Sequence, residues 1–247
     1  MTGVIPFGFM KSASGGGGNT IVDSATLTTG LESYHSLEST GDNVEGTATY
    51  DMTLSGAVFT ASGKIDYGVQ CDGVNDYMYQ TNPFSAGTGD CSANFWVKLD
   101  ATADTEERAF IGAWGSKNWI LLRIDAAGTS LKADIVQAGY YVRDDAFVSH
   151  GLTMTDWNMI TLTYEASSHT AKLYFNGSYV RDLPTSSTSS SGGRQYIQWG
   201  CYGGTDSTAG TSRFCDGTMD EIGTWSKVLT SDEVTELYNS GDGLPYD

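Results

Sequence analysis

The sequence predicts an all-β protein, two antiparallel sheets packed face to face, with one short C-terminal helix. Three observations carry this. Residues 157–182, WNMITLTYEASSHTAKLYFNGSYVRD, alternate with period two: Ile160, Leu162 and Tyr164 share one face of a first strand, and Leu173 and Phe175 one face of a second. Thr161, Thr163, Lys172 and Tyr174 take the opposite faces, and Asn176-Gly177 supplies a pair that tolerates the positive φ of a tight hairpin turn. Charged residues are only 17% of the chain while glycines number 31, a balance that suits strands and polar turns better than helical bundles. Finally, the chain reads as about a dozen strands and a single helix, the pattern of a two-sheet sandwich. At 247 residues it is long for one domain but within the range of such sandwiches. A chain of this size removes roughly 70–75% of its unfolded surface from water.

Taken in order, residues 1–29 read as an extended anchor or linker and residues 30–247 as the globular domain. Residues 31–37 alternate as a strand, and residues 39–56 form a polar loop leading to a short one. Residues 69–79 read as strand, Asp-Gly turn and strand. Residues 92–100 form a strand, and 108–114 and 119–125 two more; 131–137 and 140–143 make a hairpin around Ala138-Gly139, and 147–152 a short strand. After the central hairpin come a low-complexity loop at 185–193, a strand at 196–199, a Gly/Thr/Ser loop at 201–212 and a strand at 214–225 broken by Gly217. Residues 229–241 are the helix: Thr230 or Ser231 caps it, acids fill its first turn, Val234, Leu237 and Tyr238 share a face, and Gly241 follows its last turn.

The formal charge of −17 makes nucleic acid and anionic membrane poor partners, since both demand clustered Lys and Arg. No apolar run is long enough to span a membrane. The opening MTGVIPFGFMKSASGGGG lacks the charged start and uninterrupted apolar stretch of a secretory signal, so synthesis and retention in the producing cytoplasm are expected. Its apolar knot, with Phe7 and Phe9 at the centre, precedes a tetraglycine joint at Gly15–Gly18. Two readings are open: a disordered tail or added segment, or an anchor that plugs Phe7 and Phe9 into a larger body. Four cysteines occur without metal-ligand spacing; Cys71 and Cys91 sit in apolar strands, and Cys201 and Cys215 bracket a loop across which a disulfide is one option.

Two kinds of site stand out. Asp220-Glu221 places an acidic pair inside an apolar strand, where an unpartnered carboxylate is costly. Either Asp220 joins the loop from Asp42 to Asp51 in an oxygen cage for Ca²⁺, with Asp42 and Asp51 as further ligands, or it is a hydrogen-bonded anchor tying the last strand to that loop. Loop aromatics Trp114, Tyr140, Tyr141 and Tyr202 are the candidates for stacking on sugar rings, while strand aromatics such as Trp96, Tyr164 and Phe175 read as core.

Four stretches together carry a family resemblance: residues 30–38, the Asp72-Gly73-Val74-Asn75-Asp76-Tyr77 turn, the hairpin at 157–177, and residues 214–238 with Asp220-Glu221-Ile222 and the terminal helix. Over about residues 30–242 the chain resembles the laminin-G-like, concanavalin A-like lectin family. That resemblance implies a jelly roll with one concave sheet and non-catalytic recognition, often of glycans and sometimes with Ca²⁺. The loop Asp42-Asn43-Val44-Glu45-Gly46 departs from the Gly/Asn-rich form usual at the family's ion site. The leader is similar to Phe-Gly-Phe, glycine-rich leaders of some bacteriophage virion proteins. Related glucanases carry Glu-x-Asp-x-Glu on one strand, a run missing here. Glu106 and Glu107 are expected on opposite sides of a strand, and no G-x-S-x-G elbow accompanies His35, His150 or His169. The expectation is a non-enzymatic, virion-attached adhesion module that binds glycan or cell-surface polysaccharide, docks through residues 1–18 and is repeated as a homo-oligomer on the particle. A virion decoration or stalk protein without sugar binding is the alternative, and a polysaccharide-degrading enzyme a third reading.

Overall fold

The computed structural model describes residues 20–84, 89–112, 119–137, 140–144, 146–188, 195–203, 210 and 212–247. Trp114, the anchor residues Phe7 and Phe9, and the leader 1–18 lie outside the described residues. In chain order the elements are α1 (Ala25–Thr28), β1 (Leu31–His35), β2 (Thr53–Ser55), β3 (Val58–Ile65), β4 (Tyr67–Asp72), β5 (Tyr77–Thr81), β6 (Cys91–Leu99), β7 (Arg108–Gly112) and β8 (Trp119–Ile124). There follow β9 (Ser130–Gln137), β10 (Tyr140–Arg143), β11 (Val148–Ser149), β12 (Asn158–Glu165), β13 (Thr170–Phe175), β14 (Ser178–Leu183), β15 (Thr185–Thr188), β16 (Tyr196–Trp199), β17 (Asp216–Trp225) and α2 (Ser231–Tyr238).

Among the described residues these strands form two sheets, every pairing antiparallel. One runs β14-β13-β12-β6-β17-β4-β3, with β1 also on β17; the other runs β15-β10-β9-β8-β7-β16-β5-β2, with β11 on β9. The late strands β16 and β17 insert between early ones, the long-range return that makes a jelly roll. The Asn176-Gly177 turn has φ of 49° and 78°, as a tight hairpin between β13 and β14 requires.

Alternate residues fill the space between the sheets. From β6, Cys91, Ala93, Phe95, Val97 and Leu99 point inward and are buried. Phe95 meets Phe110 at 6.0 Å and Trp199 at 5.8 Å between ring centres. Each large apolar side chain buried here contributes about 1.5–3 kcal/mol. A polar tie also crosses the core: Gln80 Nε2 donates to Ser33 Oγ (3.3 Å), and Ser33 and Thr224 share a hydrogen bond of 2.8 Å.

A second apolar cluster covers the outer face of the β6/β17 sheet. Tyr34, Trp96, Met159 and Trp225 from the sheet pack against Ile21, Leu27, Leu229, Val234, Leu237 and Leu244. Tyr238 of α2 stacks on Trp96 at 5.6 Å. Thr230 caps α2 in a reciprocal capping box with Glu233, and the helix ends at Asn239 in a left-handed conformation, ahead of Gly241. With both faces covered, β6, β12 and β17 read as almost continuous burial rather than alternation. Among the described residues no helix lies over the outer face of the other sheet.

Several expectations are corrected. Residues 20–29 belong to the folded unit rather than to a linker: Ile21 N donates to Pro245 O (2.9 Å), Ile21 and Leu27 are fully buried, and α1 is a turn of helix there. The low-complexity segment at 185–188 is a strand, β15, paired with β10. The strand expected at 147–152 contracts to Val148–Ser149, and Glu106 and Glu107 lie in the loop before β7 rather than on a strand. Strand β17 is not broken at Gly217; its irregularity falls between Asp220 and Gly223. All four cysteines are free and buried, so Cys201 and Cys215 are not bridged, and burial pushes both thiols up to about 12.

Candidate functional site

Strand register places one set of side chains on the outer face of the β5/β16 sheet. Tyr79 lies opposite Gln198, Gln198 opposite Gly112, Gly112 opposite Leu121, Leu121 opposite Asp134 and Asp134 opposite Arg143. Directly opposed residues share a face, so these and their i±2 neighbours form one surface. Its floor is closed, with Leu121, Asp134, Val136 and Gln198 all buried. Gly112 is required there: a Cβ would stand 2.0 Å from the Cys201 carbonyl oxygen, so its absence lets the backbone carrying Tyr202 lie directly on β7.

A strip of rings crosses this face along β5 and β16. Tyr77 and Tyr79, two apart on β5, lie 6.2 Å apart; Tyr77 reaches Phe214 at 6.4 Å and Tyr79 reaches Tyr196 at 6.0 Å. All four are half-buried, alternating on β5 with buried Met78 and Gln80. Rings held this way present apolar faces at little entropic cost, since their neighbours already fix them.

A charged ladder runs beside the strip. The Arg213 guanidinium lies 4.7 Å over the Tyr202 ring, and its Nε is 3.1 Å from Glu107 Oε2. The same Glu107 oxygen accepts from Arg123 Nη1 at 2.7 Å, and Arg123 Nη2 is 3.6 Å from Asp134 Oδ2. Tyr141 donates its hydroxyl to Asp134 Oδ1 at 3.5 Å, and Arg143 lies 5.0 Å over the Tyr141 ring. Burial raises the Asp134 carboxyl above the usual carboxylate range, against the pull of Arg123. Burial also raises the Tyr141 hydroxyl, with the Asp134 charge adding to it.

Strip and ladder meet at a cleft of about 380 Å³ whose walls include Val74, Asp104, Glu106, Glu107, Arg213 and Phe214. Arg213 holds a left-handed backbone (φ 54°), while its carbonyl accepts from Ala109 N at 2.9 Å. A non-glycine residue in that region costs of order 1–3 kcal/mol and persists where the surroundings impose it, often at functional sites.

The structure divides the candidates read from the sequence. Tyr141 and Tyr202 stand at opposite ends of the ladder on this one face. Tyr140 turns the other way and stacks on His169 at 3.3 Å. The sequence does not point to the strip or to Glu107, because strand aromatics read as core and Glu107 reads as part of a strand. A signal existed: Arg123 and Asp134 interrupt otherwise apolar strands in a chain with few charges.

Asp42, Asp51 and Asp220 do not come together as a cage. Asp220 Oδ2 accepts from Lys64 N (2.8 Å) and Ile65 N (3.0 Å), and its Oδ1 from Glu221 N (2.8 Å). It therefore ties β17 to the end of β3, not to the 42–51 loop, where Asp51 Oδ1 accepts from Asn43 N (3.0 Å). A cation needs acceptors, whereas Asp220 is surrounded by donors. Among the described residues no group of three His, Cys, Asp or Glu is arranged to hold a metal. Glu221, left-handed at φ 50°, accepts from the Tyr34 hydroxyl and leaves Oε1 buried without a partner. Burial raises Glu221 well above the carboxylate range, and the Asp220 charge adds to this. Burial also raises the Asp220 carboxyl well above the carboxylate range, against the pull of the three backbone N–H groups that donate to it.

Residues 72–235 match the family model described as the concanavalin A-like lectin/glucanases superfamily. Among solved structures, domain 4 of AbnA, a GH43 extracellular arabinanase from Geobacillus stearothermophilus in complex with arabinotriose, is similar at 17% identity and TM-score 0.62, over 83% of this chain and 97% of that one. The binding domain of botulinum neurotoxin DC in complex with SialylT is similar at 11% identity and TM-score 0.65, over 86% of this chain and 52% of that one. The binding domain of Paraclostridial Mosquitocidal Protein 1 is similar at 14% identity and TM-score 0.64, over 86% of this chain. The chain thus spans about half the length of the toxin binding domains, 52% in each of these two. No curated protein matches the chain.

Proposed function

The chain belongs to the concanavalin A-like lectin/glucanase superfamily, and from that premise we propose that it is a non-catalytic carbohydrate-binding module whose site is the outer face of the β5/β16 sheet. The observation that carries this is the strip Phe214–Tyr77–Tyr79–Tyr196 beside the ladder of ion-paired side chains. Sugars bind by laying C–H faces on rings while fixed polar groups take up the hydroxyls, and the strip and ladder offer one of each. Structural neighbours in complex with arabinotriose and with SialylT support the same class of ligand.

Binding suits the face better than bond cleavage. Glycoside hydrolysis sets a protonated carboxylic acid against a carboxylate across the substrate. Here Glu107 is shared by two arginines and Asp134 faces Arg123 and Tyr141. The finer reading places the module on a virus particle, attached through residues 1–18, whose apolar knot and glycine joint support it. Comparing full-length and 19–247 chains for incorporation into particles tests that attachment.

The glycan reading is tested on an oligosaccharide array with wild type and Tyr79→Ala, with and without Ca²⁺. Retention of at least one glycan by wild type, reduced about fivefold or more in the variant and indifferent to Ca²⁺, is expected. A flat array leaves a structural decoration protein as the account.

A further inference from the structure

The cleft where strip and ladder meet carries an inference about ligand class that rests on the glycan reading. We infer that it is a subsite for an uncharged sugar presenting a vicinal diol, and that it discriminates against acidic glycans. Glu107 Oε2 is taken by Arg123 at 2.7 Å and Arg213 at 3.1 Å. Its other oxygen, Oε1, accepts no hydrogen bond from the described residues. Arg213 spends only Nε on that pair, and its outer nitrogens donate to none of the described residues. The cleft therefore holds a carboxylate acceptor and guanidinium donors side by side, locked in register by their own ion pair.

Two adjacent sugar hydroxyls match this arrangement, because each is both donor and acceptor. One gives its proton to Glu107 Oε1 while its neighbour accepts from Arg213, and both charged groups are satisfied. A carboxylate or sulfate ester satisfies Arg213 alone and stands against Glu107, Glu106 and Asp104. The second cation on the wall cannot compensate. Arg108 is 1% exposed, with Nη1 and Nη2 donating to the carbonyl oxygens of Ala101 (3.0 Å) and Thr102 (2.7 Å). Phe214 and the 70%-exposed Val74 supply the apolar wall for the C–H face of the ring.

Affinity electrophoresis of the full chain tests this, with matched pairs of polymers in the gel: dextran against dextran sulfate, and methyl-esterified against de-esterified polygalacturonate. Salt is held at 0.15 M so that the overall charge of −17 is screened beyond about 8 Å. The expected result is retention by a neutral polymer at least tenfold stronger than by its acidic counterpart, with Glu107→Gln losing about tenfold on the neutral one. Phe214→Ala, which removes the apolar ring from the cleft lining, is expected to lose a similar factor and serves if Glu107→Gln proves unstable. Equal or stronger retention by the acidic polymers overturns the inference and leaves the glycan reading standing. So does unchanged neutral binding in both variants, which moves the sugar out of the cleft. Retention by neither class overturns both.

Discussion

Arg213 approaches Glu107 to 3.1 Å from a left-handed backbone, with its guanidinium lying 4.7 Å over Tyr202. Three constraints thus converge on one side chain that is a third exposed. Arg213→Ala is expected to weaken glycan retention about five- to tenfold while lowering stability by under ~1 kcal/mol, since exposed ion pairs contribute little. Arg213→Lys restores charge but not the fork or the stacking, so it recovers little of that affinity. Titration calorimetry of the three forms, paired with urea midpoints, checks this; full recovery by lysine contradicts the positioning described for the guanidinium.

Asp220 is the acceptor for three backbone N–H groups that close the end of β3 onto β17. Asp220→Ala leaves those donors without a protein partner and is expected to cost about 3–5 kcal/mol. Urea unfolding followed by tryptophan fluorescence measures it. Chelation with EDTA is expected to leave the wild-type midpoint unmoved, and a Ca²⁺-dependent rise lost in Asp220→Asn contradicts the donor-filled description.

Glu221 gives a pH signature of opposite sign to ordinary acid denaturation. Its folded carboxyl is raised by burial, so the folded state binds a proton the unfolded state has released. Stability from this group is fully present below the unfolded glutamate range, near pH 4.3, and is lost as pH rises towards the folded value. Wild type minus Glu221→Gln, compared by urea midpoint at successive pH values, is expected to show a difference that grows less favourable to wild type above about pH 5. Tyr34→Phe removes the donor to Glu221 and is expected to destabilise by about 1–3 kcal/mol. A pH-independent difference means that Glu221 is ionised in the fold.

The four thiols are buried and free, with Cys91, Cys201 and Cys215 pushed up to about 12. A thiol reagent at pH 8 is expected to label none in the native chain and all four in urea. A pair that stays unlabelled in urea until reduced contradicts the free-thiol state.

What was legible in the sequence follows from how local its physical cause is. The β12–β14 hairpins showed because the period-two pattern and Asn176-Gly177 sit within one short window, and α2 because Thr230 and Glu233 are three apart. The edge strands β3 and β15 did not show. Strand β3 has no buried residue and lacks alternation, and β15 is four hydroxyl residues. Tyr77 and Tyr79 alternate visibly with Met78 and Gln80, yet nothing local says whether their face is core or open. That depends on α1, α2 and the C-terminal residues choosing the other sheet to cover. The ladder is harder still, since Glu107, Arg123 and Arg213 meet only once β7, β8 and the 212–214 segment are in place.

The central claim is that carbohydrate meets the surface formed by Tyr79 on β5 and Glu107 in the loop before β7. Amide chemical-shift mapping of the ¹⁵N-labelled chain, titrated with neutral arabino-, galacto- and xylo-oligosaccharides, tests it most directly. The account predicts shifts grouped at Tyr77, Tyr79, Tyr196, Glu107 and residues 212–214, with the α2-covered sheet silent. Shifts centred on α2 and the outer surface over β6 and β17, or no shifts with any of the sugars, would contradict it.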